Sequence, residues 1–168
     1  MPTTNMIEWT ASAGRIHANG EVFNIKGANW FGTEGQHAML YGLEKHGLDY
    51  YLEFLAANKF NSLRLLFNHE YVLSDPPTPY TDSRDGKATF DPGTTPELVG
   101  TTYVTMLETI VKKAAEHNIV VLLAAHRIHS HYPGQSLHAE WPGNWDGLWF
   151  DGQYPESRIL QSSIGRGG

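Results

Sequence analysis

The densest group of residues that could carry out chemistry is LLAAHRIHSHYPGQ, residues 122–135. His126, His129 and His131 crowd there beside Arg127, directly after an apolar run. Neutral imidazoles can bind zinc, and three of them with one water would make a hydrolytic site. The spacing H-x-x-H-x-H fits no standard metal motif, and the stretch contains no Asp or Glu. We therefore expect no metal or other cofactor, and keep a zinc hydrolase built on these three histidines as an alternative.

A second candidate is Arg64, which lies inside the apolar stretch FNSLRLLF, residues 60–67. Burying a guanidinium is costly unless carboxylate or carbonyl groups pair with it. Either this side chain points to solvent, or it belongs to a site in which a carboxylate is its partner.

The tryptophans of WPGNWDGLW form the third group. Trp141, Trp145 and Trp149 recur every four residues, but Pro142 and Gly143 argue against a helix. Aromatic rings pack against the apolar C–H faces of sugars, so this loop suits a glycan cleft. Anchoring of the loop by its own rings is an equal alternative.

The elements that must position these residues alternate between strand and helix. RIHANGEVFNIKG predicts a β-hairpin, because Asn19-Gly20 suits a type I′ turn. The first predicted helix is HGLDYYLEFLAANK, and a second is predicted from Thr95 to Asn118, with Pro96 in its first turn. Between them lie a short strand, residues 62–67, and a long loop, residues 68–95.

A nearly continuous apolar run, IVVLLAA, predicts a last strand that is buried on both faces. The order hairpin, β, α, β, α, β predicts right-handed βαβ units and a parallel sheet. Ligands of such folds bind at the carboxyl ends of the strands. The polar and aromatic residues that follow the strands are Asn29, Trp30, Arg64, Asn68, His126 and Arg127.

Bulk properties exclude several function classes. The 168 residues carry a net charge of -6, with no Lys/Arg cluster, which argues against nucleic acid and against an anionic membrane surface as partners. There is no cysteine, so disulfides and thiol catalysis are excluded. The start, MPTTNMIEWTASAG, lacks the pattern of a signal peptide, and no window approaches the roughly 18 apolar residues of a membrane span. Localisation and oligomeric state stay open.

The chain resembles glycoside hydrolase family 5, which includes endoglucanases and other cellulases. The residues that carry the resemblance occur in the family's order: GANWFGTE, YGL, FNSLRLLF, VVLLAAHR and LWFDGQYPE. The resemblance implies a (β/α)8 TIM barrel that hydrolyses β-linked polysaccharide with retention. Such barrels need roughly 250 residues. We therefore expect an α/β fold with the N-terminal β-hairpin and about three of the eight βα units.

Site residues are carried over only at matching positions. Arg64 resembles the family's arginine at the end of the second strand, which orients the nucleophile carboxylate. His126 resembles the histidine after the third strand, which contacts sugar hydroxyls or catalytic carboxylates. Asn29 and Trp30 resemble site-facing residues after the first strand, and Trp149 is a further substrate-binding candidate. The family often has Asp two residues before the histidine. This chain has Ala124 there, so His126 lacks that carboxylate.

Both catalytic glutamates of the family are expected to be absent. The acid/base follows an Asn in Asn-Glu-Pro after the fourth strand, a motif this sequence does not contain, and the nucleophile follows the seventh strand. Any two glutamates near strand ends could pair instead, but their spacing selects none: Glu34, Glu70, Glu140 and Glu156.

We therefore expect residues 1–14 to be an N-terminal extension, and residues 15–168 a partial catalytic domain that stops before the fourth strand. Such a chain would be inactive alone, and its open strand edges would make it poorly stable and prone to aggregate. A non-catalytic carbohydrate-binding module is the main alternative. The family is expected to be extracellular.

Overall fold

The computed structural model describes residues 6–82, 85–127 and 129–130. Its strands are β1 (Trp9–Ser12), β2 (Arg15–Ala18), β3 (Glu21–Val22), β4 (Gly27–Trp30), β5 (Ser62–Asn68) and β6 (Val120–Arg127). Its helices are α1 (Leu48–Ala57), α2 (His69–Ser74), α3 (Tyr103–Glu116) and a 3₁₀ turn at Pro96–Leu98. No helix in these ranges is long and apolar enough to cross a bilayer.

The first sheet is antiparallel, with the order β1-β2-β3. Asn19 and Gly20 have φ values of 51° and 84°, which confirms the predicted hairpin turn between β2 and β3. Strand β1 was not predicted. It pairs with β2 through a turn at Ala13 and Gly14. Ala13 has a φ of 49°, which alanine rarely adopts, so the sequence did not indicate a turn there.

The second sheet is parallel, with the order β4-β5-β6, as the alternation of strands and helices predicted. Helix α1 connects β4 to β5, and α3 connects β5 to β6. In the register, Asn29 lies opposite Arg64, and Arg64 lies opposite Leu122. A register shift falls between Phe67 and Asn68, near the carboxyl end of β5.

The core lies between this sheet and the two long helices. Leu48 and Leu52 of α1 are fully buried, and Tyr51 and Leu55 pack against the same cluster, so the predicted apolar face of α1 is confirmed. Further buried residues that line the cluster from β5, α3 and the loops are Leu63, Leu65, Phe67, Phe90, Leu98, Tyr103, Met106, Leu107, Ile110 and Ala114.

The predicted second helix is wrong at its start. Pro96–Leu98 forms only a 3₁₀ turn, and α3 begins at Tyr103. Gly100 lies between them with a φ of +72°, which a continuous right-handed helix cannot contain. The predicted loop of residues 68–95 also contains helix α2, whose N-cap Asn68 accepts a hydrogen bond from the amide of Tyr71 at 2.7 Å.

The prediction that the last strand is buried on both faces is also wrong for the described residues. Leu122 is 62% exposed and Leu123 is 49% exposed. Strand β6 is at an edge of the described sheet, where β5 is its one strand partner, so neither leucine is covered as it would be in a central strand.

Candidate functional site

Asn29 and Arg64 share one face of the parallel sheet, and His126 lies near Arg64 at the carboxyl edge of the sheet. Side chains alternate along a strand, so Arg64 points away from Leu63 and Leu65, which are buried against the helices. Asn29 lies beside Arg64 in the register, and Arg64 Nη1 donates to Asn29 Oδ1 at 3.5 Å, a long hydrogen bond. The structure thus brings together three of the five residues proposed from the sequence.

Arg64 is half-buried on this face and does not extend freely into solvent. Its position follows from the alternation within β5, because the neighbouring leucines take the helix side. The guanidinium presents several N–H donors toward the open side of the sheet, where they can bind hydroxyl or carboxylate oxygens. Its proposed role in orienting a nucleophile carboxylate stays a prediction.

His126 lies at the register shift of β6, where Phe67 pairs with Ala125 but Asn68 pairs with Arg127. It is close enough to Arg64 and Glu34 for their charges to act on its ring. Partial desolvation of the ring lowers its pKa, and the charges of Arg64 and Arg127 lower the pKa further, against an opposing effect of Glu34. The imidazole is therefore neutral at neutral pH. A neutral imidazole has one donor and one acceptor nitrogen, which suits contact with a sugar hydroxyl.

Glu34 supplies a buried carboxylate beside this face. It is 8% exposed, and its Oε2 accepts a hydrogen bond from the amide of Gly32 at 2.7 Å. Its backbone oxygen accepts from Asn68 Nδ2 at 3.1 Å, so the loop after β4 is tied to the end of β5. From the sequence alone, Glu34 was one of four candidate glutamates that their spacing did not distinguish. Its place in GANWFGTE, four residues after the strand, was the available signal.

Trp30 was expected to face the site, but its side chain lies on the helix side of the sheet. Its indole packs edge-on against Tyr51 of α1, with ring centroids 5.0 Å apart, on the opposite side of β4 from Asn29. Its Nε1 donates to the backbone oxygen of Tyr41 at 2.8 Å. Trp30 therefore supports the loop that follows β4 from the helix side.

Several proposed residues lie outside the described residues: Trp141, Trp145, Trp149, His131, Glu140 and Glu156. The zinc alternative depends on His131, so it also falls outside the described residues. Within residues 6–82, 85–127 and 129–130, no group of three His, Cys, Asp or Glu could hold a metal ion. Glu70 is described, and its Oε2 accepts from the amide of Ser130 at 2.7 Å, which ties α2 to the segment after β6.

In sequence and overall fold, the chain is similar to known cellulases. No family model matches the sequence. An endoglucanase from Paenibacillus polymyxa is 27% identical over 145 residues, which are 86% of this chain and 31% of that protein. A cellotetraose complex of a variant endocellulase from Pyrococcus horikoshii is 27% identical, covers 94% of this chain and 38% of its own, and has a TM-score of 0.71.

The fold is also shared with the catalytic domain of the major endoglucanase of Xanthomonas campestris pv. campestris. That domain is 24% identical, has a TM-score of 0.63, and covers 83% of this chain and 34% of its own. The chain is thus cellulase-like in sequence and fold, and its α/β architecture matches part of a cellulase, a TIM-barrel enzyme. It spans about a third of the length of the relatives that it matches.

Proposed function

We propose that this chain is the N-terminal part of a family 5 glycoside hydrolase that cleaves β-linked glucan, and that the described sheet forms one side of its substrate cleft. The observation that carries the proposal is the nearness of Asn29, Arg64 and His126 at the carboxyl edge of the parallel sheet. The cellotetraose bound by a similar endocellulase supports a β-glucan oligosaccharide as the ligand.

Each of the three side chains has a distinct part in this proposal. Arg64 offers N–H donors and a fixed positive charge, which can hold a nucleophile carboxylate in its ionised form. His126 is neutral and can donate to one hydroxyl while accepting from another. The amide of Asn29 accepts from Arg64 and so holds the guanidinium in place.

Retaining hydrolysis needs two carboxylates about 5 Å apart. One protonates the leaving oxygen while the other attacks the anomeric carbon. Water, deprotonated by the first group, then releases the sugar from the covalent intermediate. We assign neither role within this chain: the sequence has no Asn-Glu-Pro motif for the acid/base, and no glutamate in it matches the nucleophile that follows the family's seventh strand. Residues 15–168 are then part of a catalytic domain, residues 1–14 are its N-terminal extension, and this chain alone binds glucan without cleaving it.

The binding test compares the purified chain with its Arg64→Ala variant by calorimetric titration with cellotetraose. We expect the variant to bind about tenfold or more weakly, because a charged donor is lost. Arg15→Ala is the matched control, since Arg15 is an exposed arginine in the other sheet. Equal affinities for the wild type and Arg64→Ala would contradict the proposed site.

The cleavage test follows release of glucose and cellobiose from cellotetraose by chromatography. We expect no product above the level of a blank prepared from cells that do not express the chain, because the nucleophile and the acid are missing. Turnover that co-purifies with the chain would show that a carboxylate pair within these residues is active. It would contradict the proposal that the acid/base and the nucleophile are not in this chain.

A further inference from the structure

The pairing of β6 with β5 leaves His126 at an irregular position of the ladder. Phe67 of β5 pairs with Ala125, and the next pair joins Asn68 to Arg127, so His126 has no opposite residue in β5. The extra residue of such a bulge is not held by the regular ladder, and the direction of its side chain follows the chain on either side of it. The contacts of the neighbouring residues therefore decide where this imidazole points.

The chain after His126 is held by the junction of β5 and α2. Asn68, the last residue of β5, is the register partner of Arg127. Two residues further on, Glu70 Oε2 accepts a hydrogen bond from the amide of Ser130 at 2.7 Å. A carboxylate acceptor makes such a bond shorter and stronger than a bond between neutral groups. One short stretch of chain thus holds the segment that carries His126 at two points.

The anchor of this segment is itself firmly placed. Asn68 is fully buried, and its side chain caps α2 by accepting from the amide of Tyr71 at 2.7 Å. Its Nδ2 donates to the backbone oxygen of Glu34 at 3.1 Å, which joins α2 to the loop after β4. Glu70 lies in the first turn of the helix that Asn68 caps, so its carboxylate extends from a fixed backbone.

The held end of the segment is buried as well. Ser130 is 1% exposed, whereas Glu70 is partly buried at the surface of α2. Removing the acceptor of an amide at such a position costs free energy, because the donor then lacks a partner of equal quality. We therefore expect the segment after β6 to move when the carboxylate of Glu70 is removed.

We propose that Glu70 is a positioning residue for His126: its carboxylate holds the backbone of Ser130 and thereby fixes the direction of the imidazole. This inference rests on the proposed function and adds to it the residue that prepares His126 for a sugar hydroxyl before glucan binds. A side chain that is already in place lowers the entropy cost of binding. Affinity for glucan should therefore depend on Glu70.

The test combines NMR of the His126 ring protons at neutral pH with calorimetric titration with cellotetraose. In Glu70→Ala we expect the ring signals to shift and broaden, and cellotetraose to bind about threefold to tenfold more weakly, because binding must then order the segment. Glu70→Gln keeps an acceptor oxygen at the same reach and should match the wild type within about twofold in affinity. Both variants lose the negative charge, so the difference between them measures the hydrogen bond.

Two further variants complete the test. Glu70→Asp keeps the charge but is one methylene shorter, so it should behave like Glu70→Ala, and it replaces that variant if the alanine variant does not fold. Glu97→Ala is the matched control, since Glu97 is also a partly buried glutamate in the first turn of a short helix. It should change neither the ring signals of His126 nor the affinity.

The outcomes separate this inference from the function on which it rests. Unchanged ring signals in Glu70→Ala and Glu70→Asp would overturn the positioning role, and the proposed function would stand if Arg64→Ala still weakens binding. Equal losses in Glu70→Gln and Glu70→Ala would also overturn it, since the acceptor oxygen would then not matter. If the wild type does not bind cellotetraose, the proposed function is overturned, and the ring signals alone decide whether Glu70 positions His126.

Discussion

The positive charge of Arg64 acts on the imidazole of His126 at the carboxyl edge of the sheet. Desolvation lowers the pKa of His126, and Arg64 adds to that effect because a second positive charge nearby is unfavourable. The imidazole is therefore neutral at neutral pH. A neutral imidazole can accept a hydrogen bond, which a protonated one cannot.

The pKa of His126 tests this arrangement. We expect its titration, followed by NMR of the ring protons, to have a midpoint below the ordinary value of 6.5. Arg64→Gln should raise the midpoint, because the nearby positive charge is removed, whereas Arg15→Gln should leave it unchanged. Because the pKa of His126 is lower in the folded state than in the unfolded state, the unfolded state binds the proton more tightly. His126 should therefore lower the free energy of unfolding only as the pH falls below about 6.5. A midpoint above that value would contradict the assignment.

The loop after β4 shows how one element depends on its neighbours. Tyr103 of α3 donates its hydroxyl to the backbone oxygen of Thr33 at 2.7 Å, and burial raises the pKa of that hydroxyl. Thr33 Oγ1 donates to the backbone oxygen of Leu66 in β5. Helix, strand and loop are thereby tied together at the carboxyl edge, directly beneath Glu34.

Gly32 is a position at which a side chain would strain the backbone and clash with its neighbours. Its φ is +124°, and a Cβ there would lie 2.2 Å from the backbone oxygen of Met39 and 2.9 Å from Tyr41 Cδ2. We expect Gly32→Ala to destabilise the chain by roughly 2–4 kcal/mol, from backbone strain and a steric clash together. The measurement is urea unfolding followed by circular dichroism.

Gly100→Ala is the matched control for Gly32→Ala. Gly100 also has a positive φ, +72°, but nothing lies within 4 Å of the added Cβ. It should lose only about 1–2 kcal/mol, the cost of the left-handed conformation itself. Similar losses in the free energy of unfolding in the two variants would show that the loop moves to accommodate the Cβ. The close packing around Gly32 would then not contribute to stability.

Over the whole molecule, apolar side chains lie open on both sheets. Trp9, Ile16 and Val22 are 44%, 41% and 42% exposed in the antiparallel sheet, and Leu122 and Leu123 are exposed on β6. An exposed apolar edge strand favours pairing between chains. The described part of the chain therefore has surfaces suited to association, in line with the aggregation expected from an open sheet.

Self-association can be measured by sedimentation velocity over a range of protein concentrations. We expect the wild type to associate as its concentration rises, and Leu122→Lys to reduce this, because a lysine on an edge strand opposes pairing. Val99→Lys is the control, since Val99 is 46% exposed but follows a 3₁₀ turn and belongs to no strand. A wild type that stays monomeric at every concentration would contradict the prediction.

The candidate site was predictable in part. Arg64 and His126 could be found because a charged or titratable residue stands out within or directly after an apolar run. The orientation of Trp30 could not be predicted, because it depends on Tyr51 of α1 and on the backbone of Tyr41. The exposure of Leu122 was not predicted either, because the same apolar sequence can form a central strand or an edge strand of a sheet.

What the sequence by itself determined is what depends on near neighbours in the chain: the turn at Asn19-Gly20, the apolar face of α1, and the three strands of the parallel sheet. Only the tertiary structure decided that Arg64 meets Asn29, 35 residues away, and that His37 meets Asp82, 45 residues away. Local patterns specify elements through short-range sterics and periodic burial. Partners distant in sequence become neighbours only when the whole sheet and its helices pack, so no local pattern contains them.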